Sequence, residues 1–418
     1  MAGWEATAQS GHDVSPAFLS YRDELFDRVV DELGIDRLRI EVRSGSEYSN
    51  DTYAAFRAGQ LDSNAWRAIR YSTINDNGDP FSLNMAGFSF TDLDNQVEKV
   101  LLPIRQRLEA RGRRLQVNVD YVAFTGQISG GAYHHQNAEE YAEFVQATYT
   151  HLADRYGLVP DTWEVLLEPD NVSQWPPSYM RQAMVAAGNR LAAMGITPRF
   201  VAPSTTSMAN AVTYADEIGR NGPPRFWAQL SYHRYAGVSR EALQGIASRA
   251  QQWGLQTAML EHIGSGYEDL HEDLKIGNNS SWSQFIIGFP GVPDDGSMYY
   301  TIDVGNPNAP LVRAASRTPF LRQYIRYIRT GAVRVSATTS EAAFDPVAFL
   351  NPDSKPVVVV KAERAGNLAV QGLAAGTYEA TYTTSSSAGV RIGSFTVAAG
   401  ELIRLSMPDR GVLTISGV

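Results

Sequence analysis

The 418-residue chain contains no cysteine. That excludes disulfides, thiolate metal ligands and a cysteine nucleophile. Lysine is scarce: Lys99, Lys275, Lys355 and Lys361 are the only four among 36 basic residues, which we read as the codon bias of a GC-rich genome. Positive charge is in deficit, with 36 Lys and Arg against 45 Asp and Glu and a net charge of −9. A general nucleic-acid binder needs a basic surface, so this balance argues against one. It suits a neutral polymer as partner better than a strongly acidic one. No apolar run approaches the ~20 residues of a membrane span. No GxGxxG-type fingerprint follows any strand-like segment, so nothing calls for a nucleotide or other cofactor. The start, Met-Ala-Gly-Trp-Glu-Ala-Thr, lacks the charged and apolar regions of a secretory signal. The expectation is a secreted or periplasmic protein with its signal removed; a cytoplasmic protein is the alternative.

What is present reads as globular. Hydrophobic residues make up 44% and charged residues 19%. The length allows two or three domains. Up to about residue 330, strand-like and helix-like segments alternate. Strands are expected at 3–10, 36–43, 114–121, 162–168, 198–203, 226–233, 256–261 and 282–289. Helices are expected at 16–33, 94–112, 137–156, 177–195, 207–219, 239–253 and 317–329, several with start signals such as Ser15-Pro16 and Asn137-Ala-Glu-Glu140. Alternation implies parallel strands with crossover helices, and eight such units favour a (β/α)8 barrel. From 331 to 418 helical periodicity disappears. Seven short strand-like runs, at 332–338, 345–350, 356–361, 377–383, 390–397, 401–406 and 411–417, are separated by turn signals such as Asn351-Pro-Asp. This reads as a C-terminal antiparallel β-sandwich, residues 331–418, after a barrel of residues 1–330.

Chemistry in such a barrel sits at the C-terminal ends of its strands. Two expected strands end in glutamate, the fourth at Glu168 and the seventh at Glu261. A carboxylate closing an apolar strand is costly to bury without a partner or a task. Two of them facing each other across the mouth are what a retaining glycosidase needs: one protonates the leaving oxygen, the other attacks the anomeric carbon.

The segment Trp163-Glu164-Val165-Leu166-Leu167-Glu168-Pro169-Asp170 resembles the Trp-Glu-Ile-Trp-Asn-Glu-Pro-Asn signature of clan GH-A glycoside hydrolases. Phe320–Val335 is similar to the last barrel helix and following strand of families 30 and 39, and Ala348–Asp353 with Val357–Val360 to their sandwich strands. Gly3-Trp4-Glu5-Ala6 weakly resembles the start of their first strand. The resemblance implies that Glu168 is the acid/base and Glu261 the nucleophile of a double displacement on an oligo- or polysaccharide, with no metal. It implies that Arg39 on strand two holds the nucleophile, with Arg43 competing for that role. Tyr235 would touch the nucleophile, and His233 would line the same subsite. One departure stands out. Where the clan has an asparagine that contacts the sugar 2-hydroxyl, this chain has Leu167. That keeps a non-catalytic carbohydrate-binding barrel open as an alternative, beside a transglycosidase.

Other residues carry two readings each. Trp175 and Trp282 are candidate sugar-stacking platforms or core residues. Asp170 and Asn171 bind a hydroxyl or cap a turn. Glu164, by period-two alternation, lies deeper on the same side as Glu168 and reads as a structural acid paired with Arg39. His134 and His135 are adjacent, so on an extended segment they point apart and do not chelate one ion. His135 reads as lining the cleft or facing solvent. His262 tunes Glu261 or faces the helices. Asn50-Asp-Thr, Asn171-Val-Ser and Asn279-Ser-Ser match the glycosylation pattern, which we read as chance.

Overall fold

Eight short, largely buried strands run parallel in chain order: β1 (Gly3–Thr7), β2 (Arg37–Arg43), β3 (Gln116–Val122), β4 (Thr162–Glu164), β5 (Phe200–Ser207), β6 (Trp227–Ala236), β7 (Gln256–Glu261) and β8 (Asn279–Trp282). The computed structural model describes residues 1–418. The sheet closes on itself where Gly3 and Trp4 of β1 pair with Ser281 and Trp282 of β8. The result is the expected (β/α)8 barrel. The eighth strand differs from the expectation of 282–289. It breaks after Trp282 and resumes as β9 (Ile286–Pro290), which also pairs with β1 through Thr7 and Ile286. From β9 the sheet extends outward through β10 (Met298–Asp303) and β11 (Leu311–Ala314). The polar Asn279-Ser-Ser start of β8 gives no apolar run, so periodicity placed the strand too late.

The helices follow from local chemistry. Asn137 caps Ala138–Tyr156 by accepting from the Glu139 amide at 3.1 Å, and Gly157 ends that helix at φ 59°, where a side chain is disfavoured. A helix at Tyr267–Lys275 was not expected, because six of its nine residues are charged or histidine. It is held by Tyr267, Leu270 and Leu274, which recur on one buried face. Helix-lined β-strands build one apolar core of 78 buried residues.

The barrel lumen is polar rather than aliphatic. On β2, Arg37 and Arg39 alternate with Leu38 and Ile40; on β3, Asn118 and Asp120 alternate with Val117 and Val119. Each polar residue of this set is fully buried or within a percent of it. Period-two alternation sends the apolar members out to the helices and the polar ones inward.

After Gly331, whose φ of 88° suits glycine, the chain forms a six-stranded antiparallel sheet. It contains β12 (Val333–Val335), β13 (Phe344–Leu350), β14 (Pro356–Ala362), β16 (Gly376–Thr384), β17 (Ser387–Val397) and β19 (Gly411–Gly417). A two-stranded sheet of β15 (Gly366–Val370) and β18 (Ile403–Met407) packs over it. β14 is buried on both faces: Val357 and Val359 join the barrel core, Val358 and Val360 the sandwich core. The helix Thr318–Ile325 meets this sheet, with the Gln323 carbonyl accepting from Thr414 Oγ1 at 2.7 Å.

Candidate active site

Glu168 and Glu261 stand at the same end of the barrel. One oxygen of each, together with a ring nitrogen of His233, lie within 4.8 Å of one another. Retaining glycosidases place their two carboxyl groups about 5–5.5 Å apart, inverting ones about 6.5–9.5 Å. Oxygens this close leave no wide gap between the two carboxyl groups.

Backbone geometry brings Glu168 into position. Regular β4 ends at Glu164, and the chain continues between its neighbours: the Val165 amide donates to Val201 O and the Leu167 amide to Tyr121 O. Glu168 then adopts a left-handed conformation, φ 53° and ψ 58°. For a non-glycine residue this costs about 1–3 kcal/mol and persists only where neighbours enforce it. Its amide donates to Ser204 O at 3.1 Å and its carbonyl accepts from the Asn171 amide at 2.9 Å. Asp170 completes the clamp. Its carboxylate accepts from the Thr206 and Ser207 amides, Thr206 Oγ1 and Asn210 Nδ2 at 2.8–3.1 Å, so it stitches the loop to the end of β5.

The two carboxyl groups have different surroundings. Glu168 lies 3.1 Å from His233 Nδ1 and accepts from Asn171 Nδ2 at 3.1 Å. Glu261 accepts from the Arg39 guanidinium and from the Tyr235 hydroxyl, the latter at 3.0 Å. Arg39 is fully buried and is oriented by Thr7 Oγ1 at 3.0 Å, with Phe285 over its guanidinium at 5.8 Å. Burial disfavours its charge, but the carboxylates of Glu261 and Glu164 outweigh this and hold it firmly protonated. His233 is also fully buried. Burial opposes its protonation, yet the bond to Glu168 and the charges of Glu261 and Glu168 raise its proton affinity above the ordinary value. A metal ion could in principle be held by Glu168, His233 and Glu261, but the guanidinium already on Glu261 opposes a cation there.

Residues 331–387 match the glycosyl hydrolase family 30 beta sandwich domain. No curated protein matches in sequence. The fold is shared over the full length of the chain with solved structures. The GH30 endoxylanase of Clostridium papyrosolvens C71 is 18% identical with a TM-score of 0.69, covering 100% of this chain and 96% of that one. The catalytic domain of GH30 xylanase C from Talaromyces cellulolyticus is 14% identical with a TM-score of 0.70, covering 100% and 97%. An endo-β1,6-glucanase is 13% identical with a TM-score of 0.66, covering 100% and 92%. The chain has the glycoside hydrolase family 30 fold. Of the two families it resembles in sequence, family 30 is the one matched.

Within this family 30 fold, the expected site residues separate into two groups. Arg39, His233, Tyr235 and Asn171 reach the two glutamates, and Arg43 does not. Arg43 is spent on Asp92 and on Glu41 at 2.9 Å. Four expectations need correction. Trp175 is fully buried, its Nε1 donating to Tyr133 Oη at 2.6 Å, with Tyr141 and Tyr179 against its ring. Trp282 is fully buried with Nε1 donating to Asp273 at 2.9 Å. Neither offers a face to a sugar. His135 is enclosed by Tyr121 and Glu47 and lines no cleft. Asp170 supports the Glu168 loop instead of meeting a hydroxyl. His262 bonds Ser265 and packs its ring 5.3 Å from Tyr235. Leu167 is 8% exposed and packs with Tyr71 and Val122, so it presents no polar group to the cleft. Thr7, Phe285 and Asp120 were not expected at the site. Asp120 had a signal: the single charged residue, in alternation, within the otherwise uncharged run Gln116–Val122.

Proposed function

We propose that the protein is a retaining glycoside hydrolase acting by double displacement on a β-linked oligo- or polysaccharide. Residues 1–330 would be its catalytic barrel and 331–418 its sandwich. The observation that carries this reading is the spacing of Glu168 and Glu261 together with their unequal partners. Arg39 and Tyr235 keep Glu261 an ionised nucleophile. Glu168 has no guanidinium on it; it shares a proton with the His233 ring beside it and is the group placed to pass that proton to the leaving oxygen. Glu261 attacks the anomeric carbon while Glu168 gives its proton to that oxygen. Glu168, now ionised, takes a proton from water, which attacks the glycosyl-enzyme and frees Glu261. Xylan and β-1,6-glucan are the first substrates to try, being what the proteins of like fold act on. No helix is long and apolar enough to cross a membrane. A polymeric substrate cannot enter a cell intact, which favours a secreted or periplasmic enzyme.

The test is Glu168→Gln and Glu261→Gln, each checked for folding by circular dichroism. Each should lose about 10²-fold or more of kcat/KM, the scale of acid–base and nucleophilic contributions. Retention of parental rates in both would end the proposal. The buried Leu167 favours a second reading, a carbohydrate-binding barrel without turnover. Saturable binding of xylan with no product released would select it.

A further inference from the structure

Beneath the two glutamates lies a set of charges that the reaction does not obviously use. Four acids (Glu5, Asp120, Glu164 and Glu261) and two guanidiniums (Arg37 and Arg39) share the barrel lumen, and none is more than 7% exposed. Arg37 is taken by Glu5 at 2.6 Å and by Gln229, Ser281 and Thr162. That leaves Arg39 facing three carboxyl groups. It bonds Glu261 directly, with Glu164 Oε1 at 3.8 Å from Nη1 and Asp120 Oδ2 at 3.9 Å from Nε. One guanidinium cannot neutralise three carboxylates in a buried lumen.

The two deeper acids differ in what surrounds them. Glu164 Oε2 accepts from Asn118 Nδ2 at 3.1 Å, and Asn118 is itself fixed by Thr162 Oγ1 at 2.7 Å. Asp120 accepts no hydrogen bond from the protein on either oxygen, whereas on Glu164 only Oε1 lacks one. A carboxylate with a donor and a nearby guanidinium can stay ionised; one with neither oxygen satisfied cannot do so cheaply.

We propose that Glu164 is a positioning residue for the nucleophile: as a second carboxylate on Arg39 it draws that charge partly away from Glu261, while neighbouring Asp120 is neutral and takes no part in the competition. Burial, and then the charge of Glu164, push the Asp120 carboxyl well above the usual carboxylate range, in keeping with this division. The effect on Glu261 has a definite sign. An anionic neighbour that also occupies its cation makes Glu261 less acidic and more basic than Arg39 alone would leave it, and a more basic carboxylate is a better nucleophile. The other charged or titratable groups facing Glu261 are Glu168, His233 and Tyr235, with His262 next to it in sequence.

This inference rests on Glu261 being the nucleophile, and its test is read without substrate. Glutamate labelled with ¹³C at Cδ is followed by NMR through a pH titration, and the Glu261 signal is assigned by its loss in Glu261→Gln. In Glu164→Gln the Glu261 midpoint should fall by about one pH unit. In Asp120→Asn it should stay within about 0.2 unit of the parent. Glu164→Asp, which draws the carboxylate back from Arg39, should lower it by a smaller amount and serves if Glu164→Gln does not fold. A Glu261 midpoint unchanged in both Glu164 variants overturns the proposal. So does a fall in Asp120→Asn as large as that in Glu164→Gln. If the midpoints move as stated but Glu261→Gln remains fully active on every glycan tried, the tuning stands and the assignment of the nucleophile fails.

Discussion

Removing one oxygen atom beside Glu261 gives a sharp test of how its charge is held. In Tyr235→Phe the hydrogen bond of 3.0 Å from the phenol to Glu261 Oε1 is lost and the ring remains. A hydrogen bond to a charged acceptor contributes about 1.5–3 kcal/mol. Tyr235 is 38% exposed, so water replaces part of the interaction and the lower end, about 1.5 kcal/mol, applies. One pH unit corresponds to 1.36 kcal/mol, so the variant should need about one pH unit more to ionise Glu261. The assay is kcat/KM across pH on the best substrate found. Its acidic limb should move up by about one unit. One unit below the parent's midpoint, the variant should lose close to a further factor of ten, while the plateau changes much less. A limb that stays in place, or moves down, would refute the argument that Tyr235 stabilises an ionised nucleophile.

Three further outcomes follow from the same geometry. His233 has a raised proton affinity in the folded chain, so its contribution to stability is complete below its unfolded value near 6.5 and is lost as pH rises through the folded value. The parent's advantage in melting temperature over His233→Gln should therefore be larger at pH 6 than at pH 9. An advantage independent of pH would contradict this. Trp282→Phe removes a donor from buried Asp273, whose proton affinity burial already raises to about 6. It should destabilise the protein by about 2–4 kcal/mol in thermal or denaturant unfolding and leave KM unchanged; a selective rise in KM would restore Trp282 as a sugar platform. Leu167→Asn places an amide under Tyr71, losing apolar burial and leaving a polar group unpaired, at a cost of about 3 kcal/mol. It should not raise kcat/KM, and a tenfold gain at unchanged stability would show that position 167 does reach the substrate.

The sequence was most informative where a polar residue interrupts an apolar strand at its end. Glu168 and Glu261 could be located because each closes a strand-like run whose order in the barrel can be counted; Arg39, His233 and Tyr235 were reached only through the resemblance to the clan. Strand alternation made the barrel legible, and the loss of helical period made the second sheet legible. Trp175 and Trp282 were not separable from surface platforms, because an indole suits both a core and a sugar face; only the donors and acceptors around their Nε1 atoms decide. His135 was ambiguous for the same reason, its partners Tyr121 and Glu47 being far away in sequence. The strand β8 and the helix Tyr267–Lys275 were hidden by polar composition, since both owe their place to pairing and packing across the barrel rather than to local propensity. The polar lumen was half visible: the alternation in Arg37–Arg43 and Gln116–Val122 can be read, but that Arg39 faces three carboxyl groups depends on barrel closure.

The central claim is that Glu261 attacks the sugar and Glu168 serves first as acid and then as base. The most direct measurement is the anomeric configuration of the first product, followed by ¹H NMR before mutarotation, with xylan or β-1,6-glucan as substrate. The spacing of the two glutamates predicts that the β configuration is retained, with the α-anomer growing in only later. A product released first as the α-anomer would mean single displacement, and would contradict the account.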